Sequence, residues 1–444
     1  MAVMTEPLQC PGQCVYCPTY QATPKSYTPE SPAVLRAIRC DYDAGKQVRS
    51  RLKALTEMGH PTDKVELIVM GGTFPAFPED YQYQFIKECL DGLNGEDSAD
   101  LEEAKQRNQT AKHRCTGLCL ETRPDWCGEE EIERMLHFGA TRVELGVQML
   151  DDEIYRLTRR GHKVEDVVRA TALLRQHGFK VHYHWMPGLP GSTPEHDLEL
   201  SRQLFDDESF KPDGLKLYPT MVVEGTELER WYQENRYQPY DIKTMVNLLI
   251  DIKSIVPKYV RISRVLRDIP AKFITAGCKD SLRGVVKQRM KQRGIECKCI
   301  RCREYGHRAR EGRETGEPRL VRMDYGAAGG NEIFLSFEDE NETLFGLLRM
   351  RVQPQIETSG NSALIRELHV YGPEVPLAEQ NREAAQHKGL GKALLREAER
   401  IAAEEFGAPQ MTILSGVGAR EYYRTEFGYQ SRGDYMVRDL GVRG

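Results

Sequence analysis

A chain of 444 residues is long enough for two or three domains, each with its own hydrophobic core. Hydrophobic residues make up 40% of it and charged residues 29%, and no apolar run approaches the ~18 residues that a membrane span needs. The start lacks a basic region followed by an apolar run, so no signal peptide is predicted and the cytoplasm is the expected compartment. The net charge of −5 argues against indiscriminate binding to nucleic acid.

The first feature along the chain is a loop rich in Pro and Gly that carries Cys10, Cys14 and Cys17. In a long chain without a signal peptide, clustered cysteines indicate metal rather than disulfides. Three thiolates can hold three irons of a four-iron cluster and leave the fourth open to a substrate-like ligand. A structural zinc with a distant fourth ligand and unrelated cysteines are the alternatives.

Only Met1–Glu6 is available for the strand that should precede this loop. We therefore expect the chain to begin inside a domain, as a trimmed or naturally short homologue.

From about residue 60 to 220, short apolar runs alternate with helical patterns, which predicts parallel βα units with chemistry at the strand ends. The runs are Val65–Met70, Leu118–Thr122, Arg142–Val147, Val181–Met186 and Gly214–Tyr218. Gly71, Gly72 and Thr73 follow the first run, where glycines allow backbone to approach a ligand closely.

The cysteine spacing, x3 then x2, resembles the signature of the radical S-adenosylmethionine (SAM) superfamily. The resemblance implies a [4Fe-4S] cluster whose open iron chelates the methionine moiety of SAM, and one-electron cleavage of SAM to a 5′-deoxyadenosyl radical. It implies that Gly71, Gly72 and Thr73 contact the methionine amino group. Glu121 and Arg123, at the end of the second run, would hold ribose hydroxyls or the carboxylate.

Residues 225–295 are predicted to be helical, and residues 296–322 to form a basic, cysteine-rich link. Cys297, Cys299 and Cys302 in this link suit a structural zinc, which normally has four ligands. Cys278 is the expected fourth ligand and His307 the alternative. A metal-free loop and a second iron–sulfur cluster remain open.

Basic residues concentrate in two places, with four basic residues from Lys258 to Arg267, and thirteen Lys or Arg against five Glu from Arg283 to Arg322. Solvated helix faces and selective phosphate contacts both account for such segments. The side chains expected to contact RNA are Lys258, Arg261, Arg264, Arg267 and Arg283.

From Glu332 onward, strand-like runs surround one strong helix from Gly391 to Glu405, which predicts a mixed α/β domain. The turn from Gln386 to Gly391 that opens this helix offers free N–H groups to a pyrophosphate. It resembles the coenzyme A-binding loop of GNAT acetyltransferases. The acetyl-CoA-binding residues implied are Glu367, Leu368, His369, Val370, Gln386, Gly389, Leu390, Gly391, Lys392, Tyr422 and Tyr423, with Tyr423 near the thioester as a catalytic residue.

The order of these domains, together with motifs such as Arg267-Asp268-Ile269-Pro270 and Ser415-Gly416-Val417-Gly418, resembles the family of Elongator catalytic subunits over essentially the whole chain. The x3 cysteine gap favours the bacterial or archaeal type, working without obligatory partner subunits. The resemblance implies that the deoxyadenosyl radical activates acetyl-CoA, which carboxymethylates C5 of the wobble uridine (position 34) in a transfer-RNA anticodon loop. It also implies that Lys64 contacts acetyl-CoA.

The predicted fold class is therefore α/β, with a partial (β/α) barrel of radical SAM type followed by a mixed α/β GNAT domain. The expected boundaries are 1–295 for the barrel with its helical extension, 296–322 for the link and 323–444 for the GNAT domain. The rival functions are a protein lysine acetyltransferase of the histone type and a non-catalytic RNA-binding scaffold.

Overall fold

The computed structural model of the protein describes residues 1–279, 282–354, 361–371 and 389–441. These residues form two seven-stranded sheets, one in each half of the chain, and a small two-stranded sheet. No helix within the described ranges is long and apolar enough to cross a membrane. Gln386, predicted to contact acetyl-CoA, lies outside the described residues.

The first sheet is a parallel partial barrel. Its strands, in spatial order, are β1 (Ala2–Met4), β2 (Lys64–Met70), β3 (Arg114–Thr122), β4 (Arg142–Gln148), β5 (Lys180–Trp185), β6 (Gly214–Leu217) and β8 (Arg261–Val265). All neighbouring strands run parallel, which requires long crossover connections. The five predicted strands are thus confirmed, and the short segment before the cysteine loop forms β1, whose Val3 pairs with Val69.

Helices supply the crossovers and the extension of the barrel. They are α1 (Pro32–Arg39), α2 (Ala44–Glu57), α3 (Glu79–Asn94), α4 (Leu101–Asn108), α5 (Glu129–His137), α6 (Asp152–Leu157), α7 (Val164–Gln176), α8 (Pro194–Asp206), α9 (Glu227–Gln233), α10 (Ile242–Ile255) and α11 (Leu282–Gln292). Acidic caps fix several of their starts; the Asp241 side chain, for example, accepts from the backbone N–H of Thr244 at the start of α10.

The prediction that residues 225–295 are wholly helical is wrong. β8 completes the barrel within this range, and β9 (Ile274–Ala276) pairs with β7 (Val222–Val223). The link that follows holds two short helices, α12 (Ile300–Arg303) and α13 (Tyr305–Arg310). The first strand of the second sheet begins at Arg319, inside the segment predicted as link.

The second sheet is mixed. Its strands are β10 (Arg319–Ala327), β11 (Gly330–Glu338), β12 (Leu344–Pro354), β13 (Asn361–Val370), β14 (Gln410–Ile413), β15 (Gln430–Arg432) and β16 (Tyr435–Asp439). Only β13 and β14 run parallel among these described strands. The predicted helix is α14 (Leu390–Arg400), continued by a π-helical turn at Ile401–Glu405, and α15 (Arg420–Phe427) follows. Leu394, Leu395 and Ile401 are fully buried in the core of this domain.

The second sheet packs against one end of the barrel, the end at which the parallel barrel strands begin. Gly416 approaches β3 so closely that a Cβ there would lie 2.3 Å from the carbonyl oxygen of Thr116. Next to β6, Asp213 accepts hydrogen bonds from Arg366 at 2.7 and 2.8 Å. Arg175 and Glu332 belong to the same buried network. Because removing one partner of a buried ion pair costs about 3–5 kcal/mol, this network fixes the angle between the two halves.

Candidate functional site

The three N-terminal cysteines lie at the end of the barrel that is formed by the C-terminal ends of its strands. Cys14 is buried, while Cys10 and Cys17 are partly exposed. The Sγ of Cys10 lies 3.7 Å from the Oγ1 of Thr73, which follows β2. The Sγ of Cys14 accepts a hydrogen bond of 3.4 Å from Arg160. The loop is therefore held by residues that are far away in the sequence.

Gly71 and Gly72 adopt backbone angles that suit glycine alone, with φ of +142° and +113°. At Gly71 a Cβ would lie 1.9 Å from the Oγ1 of Thr5, whereas a Cβ at Gly72 would have no neighbouring atom closer than 4.0 Å. This turn and the cysteine loop border a cavity of ≈ 300 Å³. Its lining includes Cys10, Cys14, Cys17, Gly72, Thr73, Glu121, Arg123, Arg160, Arg264 and Arg267. The structure thus brings the predicted cysteine, glycine and Glu121 motifs together.

The electrostatic surroundings of the cysteines suit a bound anion. Burial raises the pKa of Cys17 to about 11, and it would also raise that of Cys14, but Arg160 and Arg123 hold the Cys14 pKa below its usual value. The Nη1 of Arg123 is buried without a hydrogen-bond partner in the described residues. It lies 2.3 Å from where a Cβ on Gly12 would stand. Three thiols that line one cavity with an unpaired guanidinium N–H fit a thiolate-bound iron–sulfur cluster.

The interior of the barrel below this cavity is charged. Glu121 and Glu144 are register partners on β3 and β4, and Lys216 forms ion pairs with both. The Nε2 of His184 lies 3.0 Å from Glu144. None of Glu144, Lys216 and His184 was predicted as a site residue from the sequence. Charged residues at alternate positions of the predicted apolar runs were the signal that could have revealed them.

These ion pairs continue to the other end of the barrel. Arg142 lies 3.8 Å from Glu144 and 3.3 Å from Glu66. Although burial raises the pKa of Glu66, Arg142, Lys180 and His369 lower it to about 2. Since His369 belongs to the second sheet, charged side chains span the barrel from the cavity to the second domain.

The predicted acetyl-CoA residues lie mostly at this other end. Glu367 on β13 accepts a 2.7 Å hydrogen bond from Arg349, and His369 is exposed beside Tyr371, with ring centroids 4.4 Å apart. Gly389, with φ of +73°, caps the first turn of α14. Leu368, Val370, Leu390, Gly391 and Lys392 lie on these two elements.

The two predicted tyrosines differ in their surroundings. Tyr423 is buried in the core of the second domain and contacts Tyr429. Tyr422 is 37% exposed, and its hydroxyl lies 3.9 Å from where a Cβ on Gly391 would stand. Tyr422 therefore faces the helix start that carries the coenzyme A motif.

Lys64 is exposed at the start of β2, at the opposite end of that strand from Gly71. Seven residues of extended strand separate the two, or about 23 Å. The glycine turn and Lys64 therefore belong to different ends of the barrel.

The second cysteine group is more compact than the first. The sulfur atoms of Cys297, Cys299 and Cys302 lie within 4.8 Å of one another. Within the described residues, neither Cys278 nor His307 belongs to this group; Cys278 is buried in the barrel core, and the His307 ring pairs with Glu304 at 3.0 Å. The Nζ of Lys253 instead lies 3.9 Å from the Sγ of Cys302.

The basic residues predicted to contact RNA separate into two sets. Arg264 and Arg267 line the cavity. Lys258 forms ion pairs with Glu338 and Glu342 of the second domain, and Arg261 pairs with Glu304 and donates to the Tyr371 hydroxyl. Arg283 donates to the carbonyl oxygen of Ser263 at 3.1 Å.

Three known families match successive parts of the chain. The radical SAM superfamily matches residues 8–204, a radical SAM C-terminal domain matches 212–292, and the GNAT acetyltransferase family matches 300–429. Together they cover most of the cavity lining, the strands that complete the barrel and the second sheet as far as β14.

Relatives of the whole chain agree with this arrangement. A tRNA uridine(34) acetyltransferase of Dehalococcoides mccartyi is 63% identical, covering 99% of this chain and 97% of its own. Elongator complex protein 3 of Homo sapiens is 42% identical over 99% of this chain and 84% of its own. The solved structure of Elp3 from Methanocaldococcus infernus, with residues 1–46 deleted, has 45% identity and a TM-score of 0.87, covering 99% and 98% of the two chains. The chain therefore belongs to the tRNA uridine(34) acetyltransferase, or Elongator protein 3, family.

Proposed function

We propose that this protein carboxymethylates C5 of the wobble uridine of transfer RNA, using acetyl-CoA and SAM. The observation that carries the proposal is that one chain holds a three-thiol cavity at one end of a barrel and a GNAT-type strand and helix at the other. The names of relatives up to 63% identical support uridine 34 as the target.

The cysteine loop would hold the cluster, with Cys10, Cys14 and Cys17 as its ligands. When bound there, the cluster and SAM supply a 5′-deoxyadenosyl radical able to take hydrogen from an acetyl methyl group. The backbone of Gly71 and Gly72 would approach the methionine moiety. Glu121, held by Lys216 at 3.2 Å and by the Tyr27 hydroxyl at 3.1 Å, offers acceptor oxygens to the ribose.

The second domain would hold acetyl-CoA. The N–H groups at the start of α14 suit the pyrophosphate, and the exposed end of β13 at His369 suits the pantetheine arm. Tyr422 at the surface is better placed beside this ligand than buried Tyr423. Lys64 lies at the same end of the barrel.

We also propose that the compact group of Cys297, Cys299 and Cys302 binds a structural zinc. Its sulfur atoms are already close together, and the ammonium group of Lys253 suits a site that holds negatively charged thiolates. The boundaries 1–295, 296–322 and 323–444 remain our proposed division, with this site in the link. Action in the cytoplasm without obligatory partner subunits also stays a prediction.

Arg264 and Arg267 are our first candidates for contacts with the anticodon loop, because they line the cavity that the uridine must enter. An unpaired loop base can enter such a pocket without melting a duplex. Arg264→Glu should weaken tRNA binding several-fold in a gel-shift titration at moderate salt. Arg264 pairs with Asp268 and its side chain is 43% exposed; Arg202 on α8 pairs with Glu199 and is similarly exposed, so Arg202→Glu is the matched control and should leave binding unchanged. Equal affinities of the two variants would remove Arg264 from the interface.

The reaction itself can be followed with isotope. Anaerobically reconstituted protein is incubated with SAM, a low-potential reductant, tRNA and acetyl-CoA labelled with deuterium in the acetyl methyl group. We expect deuterium in 5′-deoxyadenosine and a carboxymethyl group on uridine 34, both by mass spectrometry. Acetyl-CoA hydrolysis should depend on tRNA.

The same experiment separates the rival functions. Acetylation of added histones without uridine modification would favour a protein acetyltransferase. No cleavage of SAM by protein that has bound iron would favour a non-catalytic scaffold. Either result would overturn the proposed reaction.

A further inference from the structure

Arg160 is the one described side chain that donates a hydrogen bond to Cys14 from outside the cysteine loop. It follows α6, in a turn whose Thr158 carbonyl oxygen accepts from the backbone N–H of Val15 at 3.1 Å. The Nη2 of Arg160 donates to the carbonyl oxygen of Gly146 near the end of β4. Both backbone and side chain of this turn thus hold the cysteine loop, and the guanidinium points at a sulfur atom.

The charge of Arg160 is buried without a carboxylate partner. The residue is 6% exposed, and in the described ranges no carboxylate oxygen lies within 4.0 Å of its nitrogen atoms. Arg123, on the other side of the loop, is different, because its Nε and Nη2 donate to Asp125 at 2.9 and 2.8 Å. A buried cation without an anion is costly, so Arg160 needs the negative charge that the Cys14 sulfur carries as a thiolate or as a cluster ligand.

We propose that Arg160 sets the reduction potential of the iron–sulfur cluster by donating a hydrogen bond to the Cys14 sulfur as a cluster ligand. This inference rests on the proposed function only in requiring that the three cysteines hold a cluster. Reduction moves one electron from an external low-potential donor onto a cluster that is already negatively charged. A buried cation beside a ligand sulfur stabilises the reduced form more than the oxidised form, and so raises the potential.

The test compares Arg160→Gln, which removes the charge, with Arg160→Lys, which keeps it. Arg159→Gln is the matched control, because Arg159 is the neighbouring residue but is 54% exposed and pairs with Glu227. Iron content is measured first, and an anaerobic redox titration followed by electron paramagnetic resonance then gives the midpoint potential. This readout needs neither tRNA nor acetyl-CoA.

We expect Arg160→Gln to bind iron and to have a lower midpoint potential. At the wild-type midpoint, its ratio of reduced to oxidised cluster should fall at least tenfold, which corresponds to about 59 mV. Arg160→Lys should lie between Arg160→Gln and the wild type, and Arg159→Gln should match the wild type.

An unchanged midpoint in Arg160→Gln with full iron content would overturn the proposal. So would loss of iron from both Arg160 variants, since Arg160 would then only hold the loop in place. Failure of the proposed reaction is a separate result. A wild-type protein that holds a reducible cluster but leaves uridine unmodified contradicts the reaction and not the role of Arg160.

Discussion

The two cysteine groups have the same number of thiols but different geometry. Cys297, Cys299 and Cys302 come together from within six residues and lie within 4.8 Å of one another. In the described part of the chain, Cys10, Cys14 and Cys17 form no such compact group; they border a cavity and depend on Arg160 and Thr73 from distant segments.

This difference is the one expected between a closed structural site, as proposed for the second group, and an open reactive site, as proposed for the first. A metal that only stabilises a fold is surrounded by its ligands, whereas a metal that takes part in chemistry keeps a position open to a ligand. The first group borders such a space, whereas the sulfur atoms of the second group already lie close together. Four variants test the comparison.

The largest effect is expected for Cys14→Ser. Loss of one of three thiolate ligands should reduce bound iron to background and abolish SAM cleavage, while zinc content stays unchanged. Iron and zinc are measured by mass spectrometry of anaerobically reconstituted protein. Cys40→Ser, a buried cysteine outside both groups, is the control. Wild-type iron content in Cys14→Ser would show that the first group does not hold the cluster.

Cys299→Ser should have the opposite signature, with zinc lost and iron retained. Loss of a structural metal is among the changes that lower the free energy of unfolding most, by about 4 kcal/mol or more. Denaturant unfolding and metal content measure the two effects. Cys278→Ser should keep its zinc, because Cys278 lies outside the compact group; zinc loss there would make it the fourth ligand after all.

Gly71→Ala tests whether the first cysteine site depends on segments that are distant in the sequence, here the close approach of Gly71 to Thr5. A residue forced into a rare backbone region costs about 1–3 kcal/mol, and the new Cβ would also meet the buried Thr5 at 1.9 Å. Gly72→Ala has a similar φ but open space, so we expect it to be less destabilised. Unfolding in denaturant and equilibrium dialysis of SAM are the measurements. Equal losses in both variants would rule out the contact with Thr5.

The smallest effect is expected when the ion pairs of Glu342, next to the second cysteine group, are removed. Glu342 forms ion pairs with Lys298, which lies between two of the cysteines, and with Lys258. Burial raises the pKa of Glu342, but these two lysines lower it to about 2. A lowered carboxyl pKa stabilises the fold above the unfolded-state pKa of about 4.3, and that contribution disappears as the pH falls toward 2.

Glu342→Gln should therefore lower the free energy of unfolding by about 0.5–1 kcal/mol at pH 6, and the difference should shrink below pH 4. Glu133→Gln, exposed on α5, should show no such dependence. A difference that grows with acid would contradict the assigned ion pairs.

Local patterns were enough to predict the strands, the cysteine loop and the glycine turn, because these depend on residues close together in the sequence. The cavity contacts of Arg160 and Lys216 were not predictable in this way. Arg160 and Cys14 are 146 residues apart, Lys216 and Glu121 are 95 residues apart, and no spacing rule connects such positions. For the same reason the sequence could not show that Lys253 lies beside Cys302, 49 residues away in the chain.

The number of basic residues in a segment did not predict which of them lie in the cavity and which form ion pairs elsewhere. Lys258 and Arg261 look like phosphate contacts in the sequence, yet carboxylates of the link and the second domain pair with them. The sequence shows both partners, but the pairing depends on how the second sheet packs on the barrel edge. Arg264, only three residues later, lines the cavity.

The buried network around Asp213 has a consequence for synthesis of the chain. Asp213 and Arg175 are made before Arg366, which completes their pairing. At 5–20 residues per second, the roughly 150 residues between Asp213 and Arg366 take about 8–30 s. During that interval Asp213 has Arg175 but not Arg366 as an ion-pair partner, so its carboxylate must stay partly hydrated. The barrel can therefore reach its final packing only after the third strand-hairpin of the second domain has left the ribosome.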